Sequence, residues 1–157
     1  MKTPKIYLET TVFNFYFADD APEKKMDTLK LFEEIKAGKY VPYTSDAVLD
    51  ELGKATKEKF DQMVELISQY SMITLPIKED AKKLAAMYMN ECVIPEKYPT
   101  DALHIAVATV NDLDYVVSYN FKHIVKLKTI TMTESINLRE NYKRIGIYSP
   151  TEVVEND

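Results

Sequence analysis

A chain of 157 residues that is 46% hydrophobic and 29% charged is long enough to bury the core of one globular domain, which we assign to residues 1–157. Its net charge of −5 argues against binding nucleic acid through a broad basic surface, although bound cations could still bring phosphates to an acidic protein. The sequence offers no bilayer-spanning apolar run, no signal-peptide pattern and only one cysteine, Cys92, so we expect a cytoplasmic protein.

The first two thirds of the chain alternate short β-prone runs with amphipathic helices. The predicted elements are a strand at Lys5–Glu9, a helix at 23–37, a strand at Tyr40–Tyr43, a helix from the N-cap Ser45 to Ala55, a helix at 57–70, a strand at Ile73–Leu75 and a helix at Glu79–Asn90. Gly38 provides a stop signal for the first helix. Pro42 predicts that its strand lies at a sheet edge or that the proline lies at a strand end.

Apolar spacing predicts which helix faces are buried. In the helix at 23–37 the expected buried residues lie three apart: Met26, Leu29, Phe32 and Ile35. In the helix at 57–70 they are Phe60, Met63, Val64 and Ile67.

The last third of the chain begins with a proline-containing loop at 94–100. The elements predicted after it are a helix at 101–112 that is apolar almost all round, a strand at Tyr115–Ser118, a strand near 128–131, a helix near 133–143, a strand at 146–148 and a short helix from Pro150. Strands that alternate with helices predict an α/β fold with a mostly parallel sheet.

Four polar residues stand where this pattern would favour apolar ones. Glu9 closes the first strand and Asn120 follows the strand at Tyr115–Ser118, and parallel sheets gather ligands at such carboxyl ends. Asp101 begins the most apolar helix. Glu51 lies within the apolar stripe of its helix, whereas the adjacent Asp50 lies on the solvent face.

Each of these residues also has an ordinary structural explanation. Glu9 could be a solvated strand end, and Glu51 could be tied to an arginine or to backbone amides. Asp101, at the start of its helix, could be favoured by the helix dipole. Asn120 could stabilise a turn. Taken together, however, their oxygen atoms form a ligand set of the kind that suits Mg²⁺ or Mn²⁺.

The order of four short motifs, IYLETT, SDAVLDEL, TDALHIAVA and VVSYNFKHI, resembles the PIN-domain nucleases, and VapC-like toxin ribonucleases in particular. It is closest to a branch with Glu in the first acidic motif and Asn in the fourth. The closing GIYSPTEVV resembles the last strand and short helix of the same domain. The resemblance implies a three-layer α/β/α PIN-like domain.

The resemblance also implies the site. Glu9, Glu51, Asp101 and Asn120 would occupy the catalytic, metal-binding positions and hold one or two Mg²⁺ or Mn²⁺ ions. Asn120 replaces an acid, which leaves the number of ions open. Three further residues would support the site: Thr10, Ser118 and His123. His123 would orient Asn120 or touch a phosphate. His104, one turn after Asp101, could reach the pocket or form hydrogen bonds inside the core, and we expect the core.

The function implied is metal-dependent hydrolysis of RNA phosphodiester bonds, in which an ion lowers the pKa of a water molecule. The chain could be the toxin of a toxin–antitoxin pair, with a small antitoxin protein as partner, and a homodimer is possible. One alternative is a catalytically weak or inactive PIN-fold module that binds RNA or a protein. A phosphoacceptor domain fits less well, because that class needs paired acids after the first strand and only Glu9 is present there.

Overall fold

The chain folds around one central sheet of five parallel strands, seen in a computed structural model that describes residues 2–155. The strands are β1 (Lys5–Leu8), β2 (Val41–Ser45), β3 (Ile73–Leu75), β4 (Tyr115–Val117) and β5 (Gly146–Tyr148). Along the sheet their order is β3-β2-β1-β4-β5, so the first strand of the chain lies in the middle.

Within residues 2–155, seven helices lie between these strands and an eighth follows the last one. They are α1 (Thr10–Tyr16), α2 (Pro22–Lys36), α3 (Asp46–Ala55), α4 (Lys57–Gln69), α5 (Glu79–Asn90), α6 (Pro99–Val110), α7 (Leu127–Arg139) and α8 (Pro150–Val153). Successive residues of β1 point to opposite faces of the sheet, and Ile6, Tyr7 and Leu8 are all fully buried. Helices therefore cover both faces, which gives the expected three-layer α/β/α fold. None of the helices in the described range is long and apolar enough to cross a membrane.

The parallel register aligns the carboxyl ends of three strands, and we call this side of the sheet its carboxyl edge. Tyr7 pairs with Tyr43 of β2 and with Val116 of β4, and Leu8 pairs with Val117. The residues that follow β1 and β4, Glu9 and Ser118, therefore lie beside each other, close to the end of β2.

Several local signals act as predicted. Ser45 caps α3 by accepting a hydrogen bond of 3.2 Å from the backbone N–H of Ala47. Gly38 follows the end of α2 with a φ of 83°, a conformation that favours glycine. Helix α6 is buried along most of its length, although it begins at Pro99, two residues before the predicted start.

Helix α1 was not predicted. Its sequence, TTVFNFY, consists largely of β-branched and aromatic residues, which have modest helix propensity. The helix forms because Glu9 caps it and because Val12 and Phe13 are buried in the core. Tertiary packing therefore decides the conformation of this segment.

The strand predicted near 128–131 is wrong, because these residues lie in α7. In the structure Thr129, Thr133, Ile136 and Asn137 are buried, a spacing of four, three and one that describes one face of a helix. The predicted helix near 133–143 is correspondingly shifted, since α7 ends at Arg139.

The buried faces of α2 and α4 were predicted only in part. Met26 is 70% exposed and Leu29 is 36% exposed, whereas Leu31, Phe32 and Ile35 are buried. A strict spacing of three falls short of the helical repeat of 3.6, so residues three apart drift around the helix and Met26 lies opposite Ile35. In α4, Val64 is exposed and Leu66 is buried instead.

Pro42 lies in a strand that is not at the sheet edge, since β2 pairs with both β1 and β3. Pairing with β3 starts only at Tyr43, so the absent N–H of Pro42 removes no bond from that ladder. Of the two predicted alternatives, the proline near a strand end describes the structure.

Candidate functional site

Glu9 follows β1 and is almost completely buried, with 2% of its surface exposed. Its Oε1 accepts hydrogen bonds from the backbone N–H of Thr11 at 3.2 Å, the Thr11 hydroxyl at 2.5 Å and the Ser118 hydroxyl at 2.6 Å. Within the described part of the chain, no hydrogen bond reaches its Oε2. Glu9 is therefore a fixed buried carboxylate, which excludes a solvated strand end.

Glu51 projects from α3 toward the same edge, and its side chain is 36% exposed. Its Oε1 accepts from the Thr10 hydroxyl at 2.6 Å and from Nε2 of His104 at 2.6 Å. The partner is therefore a histidine, not an arginine or backbone amides. The neighbouring Asp50 is exposed, as the helical pattern predicted.

Asp101 lies in the first turn of α6, where its side chain is 13% exposed. Its Oδ2 is 3.0 Å from Nδ1 of His123. His123 was predicted to orient Asn120 or to touch a phosphate. Its ring contacts Asp101, and its backbone N–H donates to Oδ1 of Asn120.

Asn120 is partly committed to its own turn. Its Oδ1 accepts a hydrogen bond of 3.0 Å from the backbone N–H of His123, and its own N–H donates to the Ser118 hydroxyl at 2.9 Å. The turn therefore uses one lone pair of this oxygen, and the second lone pair is left for a ligand.

The residues present fit a divalent cation. One ligand atom from each of Glu9, Glu51 and His104 can be chosen so that all lie within 4.8 Å of one another. Asp101 is close enough for its charge to influence His104. Three carboxylates that converge at a largely buried edge repel one another, and a cation would relieve that repulsion.

Burial and the neighbouring charges and hydrogen bonds shift the pKa values of these groups in opposite directions. Burial raises the pKa of Glu9 and of Asp101, and the hydrogen bonds and nearby imidazoles only partly offset it. For Glu51 the effect of burial is outweighed by the hydrogen bond and charge of His104, which lower its pKa. Burial alone would lower the pKa of His104, but the hydrogen bond to Glu51 and the charges of Glu9 and Glu51 raise it.

Sequence reasoning missed part of this arrangement. For His104 the core was favoured over the pocket, but this fully buried residue also contacts Glu51 directly and so belongs to both. Thr11 and Tyr7 were not singled out. Tyr7 could have been found, because it alternates onto the same strand face as Glu9 and a buried tyrosine hydroxyl needs a partner.

Comparison with known proteins gives one kind of match. No protein-family model matches the chain, and no curated protein matches it either. A solved structure does match. It is VapBC2 from Rickettsia felis bound to a DNA fragment from its promoter, and one of its chains matches with a TM-score of 0.51. The match covers 92% of this chain and 98% of that one, with 12% sequence identity.

At that identity the match establishes the fold. The chain has the fold expected from the resemblance, a PIN-like α/β/α domain with a parallel central sheet. The branch with Glu in the first motif and Asn in the fourth stays a prediction.

Proposed function

We propose that the protein is a metal-dependent endoribonuclease of the PIN-domain type, and that residues 1–157 form its single domain. One observation carries the proposal. Glu9, Glu51 and Asp101, which are far apart in the sequence, are brought to the carboxyl edge of the sheet in a fold similar to that of a VapBC2 chain. Ligands of open parallel sheets bind at this edge.

In this proposal Glu9, Glu51 and Asp101, with Asn120, hold one or two Mg²⁺ or Mn²⁺ ions. When bound, a cation supplies positive charge beside the phosphate and acidifies a water molecule. The chain's own contribution is to fix the carboxylates: Ser118 holds Glu9, Thr10 holds Glu51 and His123 holds Asp101. Such supporting contacts orient ligands and keep them ionised.

A single-stranded RNA would have an aromatic surface beside the site. The ring of Tyr98 packs against that of His123 with centroids 4.0 Å apart and a tilt of 36°, and Tyr98 is 38% exposed. His123 in turn contacts Asp101, so a base stacked on Tyr98 would lie near the acidic cluster. Aromatic stacking tolerates any base, which suits a nuclease that approaches flexible RNA.

The proposal extends to partners and location. The solved neighbour is a VapBC2 assembly, which supports the idea that a small antitoxin protein binds this chain, and a homodimer is a further possibility. We place the protein in the cytoplasm, where its exposed free thiol at Cys92 would stay reduced.

A second candidate function rests on Asn120. This residue replaces an acid, and its Oδ1 already accepts from the backbone of His123. A site that has lost one charge and part of one ligand could bind cations and RNA without cleaving. The alternative is a PIN-fold module that binds RNA or a protein.

Cleavage of labelled single-stranded RNAs separates the two functions. Purified protein with Mn²⁺ or Mg²⁺ should cleave, and EDTA should prevent it. Asp101→Asn should reduce cleavage to the EDTA level, because it removes a carboxylate ligand and keeps the shape of the side chain.

The matched control is Asp112→Asn, two residues beyond the opposite end of the same helix, where the residue is exposed and has a φ of 55° that asparagine also tolerates. It should cleave like the wild type. Equal cleavage by Asp101→Asn and the wild type contradicts the proposal, whereas binding of Mn²⁺ and RNA without cleavage favours the second function.

A further inference from the structure

His104 is held rigidly on both sides of its ring. It lies in the middle of α6 and is fully buried. Its Nε2 is 2.6 Å from Oε1 of Glu51, and its Nδ1 is 2.6 Å from the hydroxyl of Tyr7. Both nitrogens are thus committed to partners that come from other elements of the fold.

Tyr7, the partner of Nδ1, is itself held in place. The Tyr7 hydroxyl also hydrogen-bonds the hydroxyl of Ser45 at 2.7 Å, and both residues are fully buried. Tyr7 comes from β1, and Ser45 from the last position of β2. The hydrogen-bonded series Ser45–Tyr7–His104–Glu51 therefore links buried residues of two neighbouring strands to the Glu51 carboxylate.

Two roles are open to such a histidine beside a cation site. It could give the lone pair of Nε2 to the cation, or it could donate the Nε2 hydrogen to Glu51. A nitrogen that carries a hydrogen has no lone pair for a metal. The short contact to a carboxylate oxygen requires Nε2 to be the donor, because Oε1 can only accept.

The geometry of Glu51 agrees with the second role. Its Oε1 accepts from both His104 and Thr10. Across residues 2–155 no hydrogen bond reaches its Oε2. Glu9 repeats this division, with three donors on Oε1 and none on Oε2. Each of the two carboxylates thus has one oxygen held by the protein and one left for a ligand.

We infer that His104 is a positioning residue, which fixes Oε1 of Glu51 so that Oε2 is presented to the cation. The inference rests on the proposed cation site and deepens it. In this arrangement the protein supplies only oxygen ligands, which Mg²⁺ and Mn²⁺ prefer. It supplies no imidazole nitrogen of the kind that favours zinc or copper.

Mn²⁺ can test this directly, because pulsed electron paramagnetic resonance detects nitrogen bound to the ion. Tag-free wild-type protein loaded with Mn²⁺ should show no directly coordinated histidine nitrogen. A nitrogen signal that disappears in His104→Gln would overturn the inference but leave the metal site standing. Absence of Mn²⁺ binding by the wild type would overturn the inference and the proposed function together.

Variants provide an independent readout of positioning. His104→Leu should weaken Mn²⁺ binding by about 10–100-fold, the usual effect of removing a group that orients a ligand. His104→Gln keeps an N–H near the place of Nε2, so it should recover most of the affinity. Equal affinity in His104→Leu and the wild type overturns the inference. If His104→Leu does not fold, as judged by circular dichroism, the comparison of His104→Gln with the wild type and the nitrogen measurement still decide.

Discussion

At the scale of single residues, the buried carboxylate of Glu9 destabilises the metal-free fold when it is ionised. Burial raises its pKa, and three hydrogen bonds to one oxygen only partly compensate. A carboxyl group whose folded pKa is raised contributes stability when protonated, and this contribution is lost as the pH rises through the folded pKa. At neutral pH the metal-free protein is thus destabilised by a group that the proposed function needs.

We therefore expect Glu9→Gln to stabilise the metal-free protein at pH 7 and to abolish Mn²⁺ binding. The amide oxygen can still accept from Thr11 and Ser118, while the buried negative charge is gone. Thermal unfolding in EDTA and Mn²⁺ titration measure the two effects. Glu65→Gln, an exposed substitution on α4, is the control and should change neither. A lower melting temperature for Glu9→Gln would show that its charge stabilises the fold.

At the scale of elements, a buried network of hydrogen bonds joins the three helices α5, α6 and α7. The Tyr88 hydroxyl of α5 donates to Oδ1 of Asn137 on α7 and is 3.5 Å from the Thr109 hydroxyl of α6. Asn137 also donates to Thr109 at 3.4 Å. All three residues are buried, so Tyr88 and Asn137 depend on this network for their hydrogen bonds, whereas the Thr109 hydroxyl also donates to the backbone carbonyl of Ile105 at 2.8 Å.

Tyr88→Phe should lower the free energy of unfolding by about 1–3 kcal/mol, because it leaves Asn137 without its donor in a buried place. Urea denaturation monitored by circular dichroism gives this difference. Tyr98→Phe removes a hydroxyl from an exposed tyrosine and should have little effect. If the two variants lose the same stability, the network does not hold the helices together.

At the scale of the whole molecule, stability and ligand binding are linked through the acidic cluster. The pKa values of Glu9 and Asp101 are both raised by burial, so their ionisation costs stability as the pH increases. A cation binds the ionised carboxylates, and its stabilising effect should therefore grow with pH.

Mn²⁺ at about 100 times its dissociation constant at pH 7.5 should raise the melting temperature by about 5–10 °C. At pH 5 the same Mn²⁺ concentration should raise it less. Scanning calorimetry at both pH values, with and without Mn²⁺, provides the measurement. Asp101→Asn should show a much smaller increase at pH 7.5. An equal increase at both pH values, or in both proteins, would mean that Mn²⁺ stabilises the fold through another site.

The sequence by itself determined the fold class, and it predicted which acidic residues form the candidate site. The alternation of strands and helices predicted the parallel sheet, and the resemblance added its PIN-like form. Glu51 could be separated from Asp50 because a helical repeat distinguishes the two faces of one helix. Glu9 and Asp101 stood out because each marks the end of an apolar element. These are properties of short segments, which a sequence shows directly.

Only the tertiary structure decided how these residues are held. His104 contacts Tyr7 across 97 positions of sequence and Glu51 across 53, and no local pattern relates such pairs. Packing also made a helix of α1 and of residues 128–131, although their β-branched residues favoured strands. The physical reason is the same in each case. Burial and hydrogen bonds to distant partners outweigh the weak propensities of the local chain.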